Sequence, residues 1–142
     1  MRARDEWADN LAFAAYLNDL VAGLDSLYGR TDLDTGSKLA AREVAFEAAR
    51  RRFRDEVLLA MRTDRFAGFE RLAMNNATLM ARRLYYDRLD RFEAVFQRRG
   101  GDLVATIRAI IDAAEDRPDD PWGAVESLAG PSTPGAAAPA GP

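Results

Sequence analysis

Apolar residues recur every three or four positions over most of the chain, a spacing that predicts amphipathic helices. The first stripe consists of Trp7, Leu11, Ala14, Leu17, Val21, Leu24 and Tyr28. Gly29 follows this stripe and is a natural helix stop. The next connection, RTDLDTGS, is rich in turn-forming residues, and it offers candidate N-caps for a second helix in Asp34, Thr35 and Ser37.

The second helix is predicted from about Leu39 to Met61 by the same spacing. Its inward residues are Leu39, Phe46, Ala49, Phe53 and Val57. The segment TDRFAGFERLAM that follows has no clean period, and Gly68 lies between its two phenylalanines. We therefore expect an irregular or briefly helical connection over residues 63–74.

A third long helix begins close to Asn75 and ends at Gly100 and Gly101. Its stripe runs through Ala81, Tyr85, Leu89, Phe92 and Phe96. Asp102 is a candidate N-cap for a fourth helix. The inward residues of that helix are predicted to be Leu103, Ile107, Ile110 and Ala114.

After Arg117 the composition shifts towards glycine, proline and alanine. Such a segment buries too little apolar area to offset its ordering entropy, so residues 118–142 are predicted to be a disordered tail. Trp122 is a candidate for docking back onto the helices. No segment shows the alternation of β-branched residues that is typical of strands. The sequence therefore predicts an all-α fold, a bundle of about four helices over residues 1–117 followed by this tail.

The composition limits the chemistry more than any motif does. The 142 residues include no histidine and no cysteine, which excludes the usual zinc ligand sets and a serine or cysteine nucleophile with an imidazole base. The net charge of −3 gives a nucleic-acid backbone no overall attraction, so a nucleic-acid partner is not expected. No apolar run is long enough for a membrane span or a signal peptide, and the chain is expected to be soluble as given.

The adjacent amides of Asn75 and Asn76 need an explanation, because asparagine is a poor helix former. One of them is predicted to cap the third helix, while the other turns its amide inward or towards a neighbouring surface. Tyr85 lies on the stripe of Leu89 and Phe92, and this favours a core ring over a catalytic role. Catalysis by a carboxylate pair is disfavoured because most acidic residues lie at helical surface positions beside arginines.

These residues resemble a known family. The stretch FERLAMNNATLMARRLYYDRLDRFEAVFQRRGGDLVATIRAI is similar to the C-terminal region of the bacterial predicted aminopeptidases. In that region an Asn-Asn-Ala run precedes a tyrosine-bearing helix, a phenylalanine-rich helix, a Gly-Gly-Asp and a last helix. The upstream LNDLVAGLDSLYGRTDLDTGSKLAAREVAFEAARRRF is similar to the family's preceding helical hairpin. The resemblance covers residues 9–115.

The resemblance implies a hydrolase of the zinc metallopeptidase class, with a His-Glu-x-x-His helix and a further glutamate N-terminal to the matched region. Nothing in this chain matches those ligands. The chain is therefore expected to be a fragment, the C-terminal helical portion of the enzyme, inactive by itself and without a cofactor, with zinc and peptide substrate bound by the full-length parent. Asn75, Asn76 and Tyr85 fall on the shared stretch and become candidates for its substrate-side wall. Export signals are common in whole members, which implies a cell-envelope location for the parent.

An alternative is a stand-alone helical bundle that acts as a protein-interaction module. Phe13, Leu20 and Leu27 recur at seven-residue spacing beside the first stripe, and such a second stripe would suit a partner or self-association.

Overall fold

The structure, a computed structural model, describes residues 2–131, and its regular elements are helical. The α-helices are α1 Arg2–Tyr28, α2 Thr35–Arg52, α3 Leu58–Ala60, α4 Asn76–Tyr86, α5 Leu89–Arg98, α6 Leu103–Asp116 and α7 Pro121–Ala129. A π-helical turn, Phe53–Val57, joins α2 to α3. No strand occurs between residues 2 and 131, so the all-α prediction is confirmed. The chain divides between Asp87 and Arg88 into two compact units, where one domain over residues 1–117 was expected.

Aromatic side chains form the core of the first unit, in which α1 packs against α2 and α4. The ring of Phe13 stacks on that of Phe66 with centroids 4.2 Å apart, and it meets the edge of Phe69 at 4.8 Å. Both partners come from the connection between residues 63 and 74, whose 3₁₀ turn at Phe69–Arg71 confirms the expected brief helicity. This connection is therefore an integral part of the core.

The second apolar stripe of α1 also lies in this core. Phe13 and Leu20 are buried, and Leu27 packs against the same cluster. Since α1 contacts both α2 and α4, its covered face is broad enough to include both stripes. The expectation that the second stripe forms a free binding face is therefore wrong.

Local capping chemistry places several helix starts where the sequence predicts them. Asp34 accepts a hydrogen bond from the Ser37 N–H at 2.7 Å, and Asp102 accepts one from the Ala105 N–H at 2.9 Å. Both satisfy backbone donors that the first helical turn leaves unpaired. Leu39, predicted to point inward, is largely exposed in the first turns of α2.

The predicted third helix is interrupted. Asp87 has extended backbone, and Arg88 adopts the left-handed conformation with φ of 54°. The helix that carries Tyr85 therefore ends at Tyr86, and Tyr85 is 79% exposed. The core position expected for Tyr85 is instead taken by Tyr86, whose ring lies 5.0 Å from that of Phe13.

In the second unit, α7 packs on α5 and α6. The prediction of disorder is wrong for Pro121–Ala129, because Asp120 caps this helix at the Gly123 N–H and Pro121 occupies its first turn. Val125 is buried against Val95, and this apolar contact could not be seen from the composition of the segment.

Trp122 was predicted to dock back onto the helices, and this is confirmed. Its ring packs edge-on against the ring of Phe92, with the two centroids 5.9 Å apart. Residues 132–142 of the predicted tail lie outside the described residues.

Arg91 links α5 to α7. It is buried, and its guanidinium donates to Glu126 at 2.7 Å and to the Gly130 carbonyl. A buried arginine needs such partners because an uncompensated charge in the interior is costly. The pair therefore fixes the end of α7 on α5.

The packed face of α6 differs from the predicted one. Thr106 is buried and Ile110 contacts the Val95 cluster, whereas Leu103 is 63% exposed and Ile107 48% exposed. Thr106 tolerates burial because its hydroxyl donates a hydrogen bond to the Asp102 carbonyl at 2.6 Å.

None of the helices formed by residues 2–131 combines the length and apolarity needed to cross a bilayer.

A buried carboxylate joins the start of the first unit to residues far along the chain. Asp9 is 2% exposed and accepts hydrogen bonds from the Arg62 N–H and the Thr63 N–H, both at 2.8 Å. Its Oδ2 also accepts from the Thr63 hydroxyl at 2.6 Å. This contact fixes the beginning of the connection that carries Phe66 and Phe69.

We expect Asp9→Ala to lower the free energy of unfolding by about 2–3 kcal/mol, because it leaves backbone donors of Arg62 and Thr63 without their acceptor. Urea denaturation followed by circular dichroism measures this change. Asp19→Ala on the same helix is the control, since its ion pair with Arg52 is exposed and should contribute less than about 1 kcal/mol. Equal losses in the two variants would contradict the role assigned to Asp9.

The hydroxyl of Tyr16 predicts a specific alkaline sensitivity. It is buried and donates to the Ala49 carbonyl at 3.0 Å, and burial raises the pKa of Tyr16 to about 12. Because the folded pKa lies above the unfolded value of about 10, the stabilising contribution is complete below pH 10 and is lost as the pH rises towards 12. Tyr16→Phe should therefore lose less stability than the wild type between pH 10 and 12 in parallel denaturation curves. Superimposable losses would refute this assignment.

Candidate functional site

Asn75 is the N-cap of α4, as predicted for one of the two asparagines. Its backbone is extended, with φ of −150°, and its Oδ1 accepts a hydrogen bond from the Thr78 N–H at 2.9 Å. The cap satisfies a backbone donor at the start of the helix. Its oxygen is thereby committed to the helix terminus.

Asn76 makes a tertiary contact. Its Oδ1 accepts a hydrogen bond from the Tyr28 hydroxyl at 3.0 Å. Tyr28 is the last residue of α1 and Asn76 is the first residue of α4, so this bond joins the ends of two packed helices. The prediction that the second amide turns towards a neighbouring surface is confirmed.

A lysine of α2 contacts the backbone of Tyr28. The Lys38 ammonium donates to the Tyr28 carbonyl at 2.7 Å, and Arg42 pairs with Glu43 at 2.7 Å. Glu43 is the main cause of a raised pKa of Arg42, and the Tyr28 hydroxyl contributes to the same shift. We call Tyr28, Lys38, Arg42, Glu43 and Asn76 the Tyr28 cluster.

Asn76 also begins an exposed apolar face of α4. Met80 and Leu84 follow it at four-residue spacing, which places the three side chains on one side of the helix. Met80 is 56% exposed and Leu84 is 83% exposed. An amide followed by two open apolar side chains can provide both a polar and an apolar contact to a ligand.

Tyr85 does not converge with the asparagines. It follows Asn76 by two and a half helical turns, about 13.5 Å along the axis, and points to the opposite side of α4. The three candidate residues from the sequence therefore do not form one cluster.

A polar groove of about 470 Å³ lies between the start of α1 and the connection after α3. Two ion pairs line this groove. Asp5 pairs with Arg62 at 3.4 Å, and Glu6 pairs with Arg2 at 3.0 Å. These ion pairs largely neutralise one another. The groove therefore offers no excess of charge that would select an ionic ligand.

The zinc ligands that the resemblance implies have no counterpart in these helices. In the described part of the chain, no group of three or more histidine, cysteine, aspartate or glutamate side chains could hold a metal ion. The complete sequence also contains neither histidine nor cysteine. The side chains present therefore do not fit a zinc centre.

The sequence did not predict that Tyr28 contacts a candidate site residue. Its position at the end of the first stripe predicted a packing residue, and the ring is indeed partly buried against the core. Its bond to Asn76 spans 48 residues, and neither local stretch carries a signal for the other. The pair of adjacent asparagines was the one sequence signal for this contact. A helix needs only one asparagine as its N-cap, so the second one indicates a further partner.

Comparison with known proteins gives one assignment. The family model described as "Putative aminopeptidase" matches residues 1–120. No curated protein matches the chain, and no solved structure does. The family match includes the whole stretch on which the resemblance was recognised and all of the Tyr28 cluster. By this match, the chain belongs to the family described as "Putative aminopeptidase".

Proposed function

We propose that this chain is the C-terminal helical portion of a bacterial zinc-dependent aminopeptidase and contributes scaffold and part of the substrate-side wall. The family match over residues 1–120 is the observation that carries the proposal. The open face of α4 supports it, because a packed core positions an amide and two apolar side chains at the surface. Binding sites commonly combine an apolar lining with a few placed polar groups.

The three candidate residues would have different roles. Asn76 would contact the peptide, since its side chain is exposed beside Met80 and Leu84. Asn75 would act from the same edge through the start of α4, which it caps. Tyr85 would present its hydroxyl from the other side of the helix to a different part of the substrate or enzyme.

The metal would be bound outside these residues. Because the chain has no histidine or cysteine, the zinc ligands would belong to another segment of the parent enzyme. The isolated chain is then inactive as a peptidase. A cell-envelope location of the parent is part of the same proposal.

The exposed face of α6 favours an alternative function as an interaction module. Leu103, Val104, Ile107 and Ile111 lie within about a third of the helix circumference and are exposed. Apolar patches of this kind often mark contact surfaces. In this alternative, a second copy of the chain covers the α6 face.

Native mass, zinc content and activity test the main proposal together. An antibody against residues 1–115 should capture from source cells a polypeptide well above 15.7 kDa that contains zinc. This polypeptide should hydrolyse short peptides with a free N-terminus and leave their N-acetylated forms intact. A 15.7 kDa antigen without peptidase activity would contradict the proposal.

Sedimentation velocity tests the interaction module. If α6 mediates self-association, the chain should form dimers as its concentration rises, and Leu103→Glu with Ile107→Glu should abolish them because charged residues oppose apolar burial. Arg108→Ala on the same helix is the control, since this exposed residue lies beside the apolar stripe. A monomer at all concentrations that binds no hydrophobic dye would rule this function out.

A further inference from the structure

The Tyr28 hydroxyl contacts the oxygen of the Asn76 side-chain amide, which faces it in the structure. A phenol has one proton, and that of Tyr28 is donated to Asn76 Oδ1 at 3.0 Å.

This orientation leaves the amide nitrogen as the outward group. Asn76 Oδ1 is occupied, whereas Nδ2 carries two hydrogens and donates to no acceptor among residues 2–131. The side chain is exposed, so these hydrogens are accessible to a ligand. Asn76 is therefore a donor, and its complement is an oxygen acceptor such as a peptide carbonyl.

The two exposed apolar side chains of α4 have a spacing that an extended peptide can match. Met80 and Leu84 are separated by about 6 Å of helix rise. In an extended peptide, alternate side chains on one side are about 6.6 Å apart. Two apolar side chains of an extended peptide could therefore contact Met80 and Leu84 while a carbonyl reaches Asn76.

We infer that Asn76 donates a hydrogen bond to a main-chain carbonyl of an extended peptide with alternating apolar side chains, and that Tyr28 is the residue that positions its amide. The inference rests on the proposed function, for which it specifies the substrate class and the polarity of the contact. Met80 and Leu84 favour apolar side chains of the peptide, and Asn76 binds its main-chain carbonyl.

Nuclear magnetic resonance of the complete 142-residue chain tests this contact without requiring catalysis. The probe is the doubly capped peptide acetyl-Leu-Gly-Leu-amide, and acetyl-Glu-Gly-Glu-amide is its matched control. The leucine peptide should shift the Asn76 side-chain NH₂ and Met80 methyl resonances saturably, and the glutamate peptide should not. Unchanged Asn76 resonances at saturation, or equal responses to both peptides, would overturn the inference.

Substitutions at Asn76 and Tyr28 distinguish the hydrogen bond that Asn76 makes to the peptide from the positioning of its amide by Tyr28. Asn76→Asp keeps an acceptor for Tyr28 but removes the donor, so the dissociation constant should rise more than tenfold. Tyr28→Phe keeps the donor but releases the amide, and affinity should fall about two- to tenfold. Asn76→Gln should retain part of the affinity because it retains the NH₂ group.

Gln97→Glu makes the same amide-to-carboxylate change at an exposed position of α5, and it should bind the leucine peptide like the wild type. Circular dichroism verifies that each variant is folded, and Asp at the start of α4 is compatible with the helix dipole. Wild-type affinity of Asn76→Asp or Tyr28→Phe would refute the assigned roles.

The two proposals can fail separately. If the larger antigen is a zinc peptidase but Asn76 does not respond to the peptide, the inference is wrong and the proposed function stands. If Asn76 responds as expected but no peptidase activity accompanies the antigen, the proposed function is wrong and the peptide contact stands.

Discussion

Phe13 is fully buried on α1, and its ring contacts aromatic residues of α1 itself, of the π-helical turn, of the connection after α3 and of α4. These partners are Tyr16, Phe53, Phe66, Phe69 and Tyr86. Tyr86 belongs to α4, so packing around this ring holds the C-terminal end of that helix against α1. Since the other end of α4 is tied to Tyr28, the exposed face between them is held at both ends. A surface on a helix fixed in this way can present ligand contacts in a constant geometry.

The two asparagines show how one short motif can serve stability and recognition together. The Asn75 cap uses a side-chain oxygen to complete the first turn of α4, which is a local requirement. Asn76 is already within the helix and uses its oxygen for a distant partner. The side-chain oxygens of Asn75 and Asn76 both make hydrogen bonds that stabilise the fold. The side-chain nitrogen of Asn76 points outward and makes no such bond within residues 2–131.

Much of the fold could be predicted because its determinants are local. The caps at Asp34, Asn75 and Asp102 depend on residues within one turn, and helical periodicity survives in a single sequence. The break at Arg88 could not be predicted, because arginine carries no local preference for positive φ. The α7 helix was missed because its proline and glycine suggested a tail, although Pro121 suits a first helical turn. The Tyr28 contact to Asn76 was missed because it exists only after α1 and α4 have packed.

The contact between Asp9 and Thr63 also has a consequence for synthesis of the chain. The two residues are 54 positions apart, so at typical elongation rates the carboxylate emerges roughly 3 to 11 s before its partners. During this interval Asp9 lacks its contact with Thr63, and the phenylalanines of the later connection have not yet emerged. The apolar stripes of α1 are therefore open to solvent and to other nascent chains. Completion of this core therefore waits for a segment that is translated after both α1 and α2.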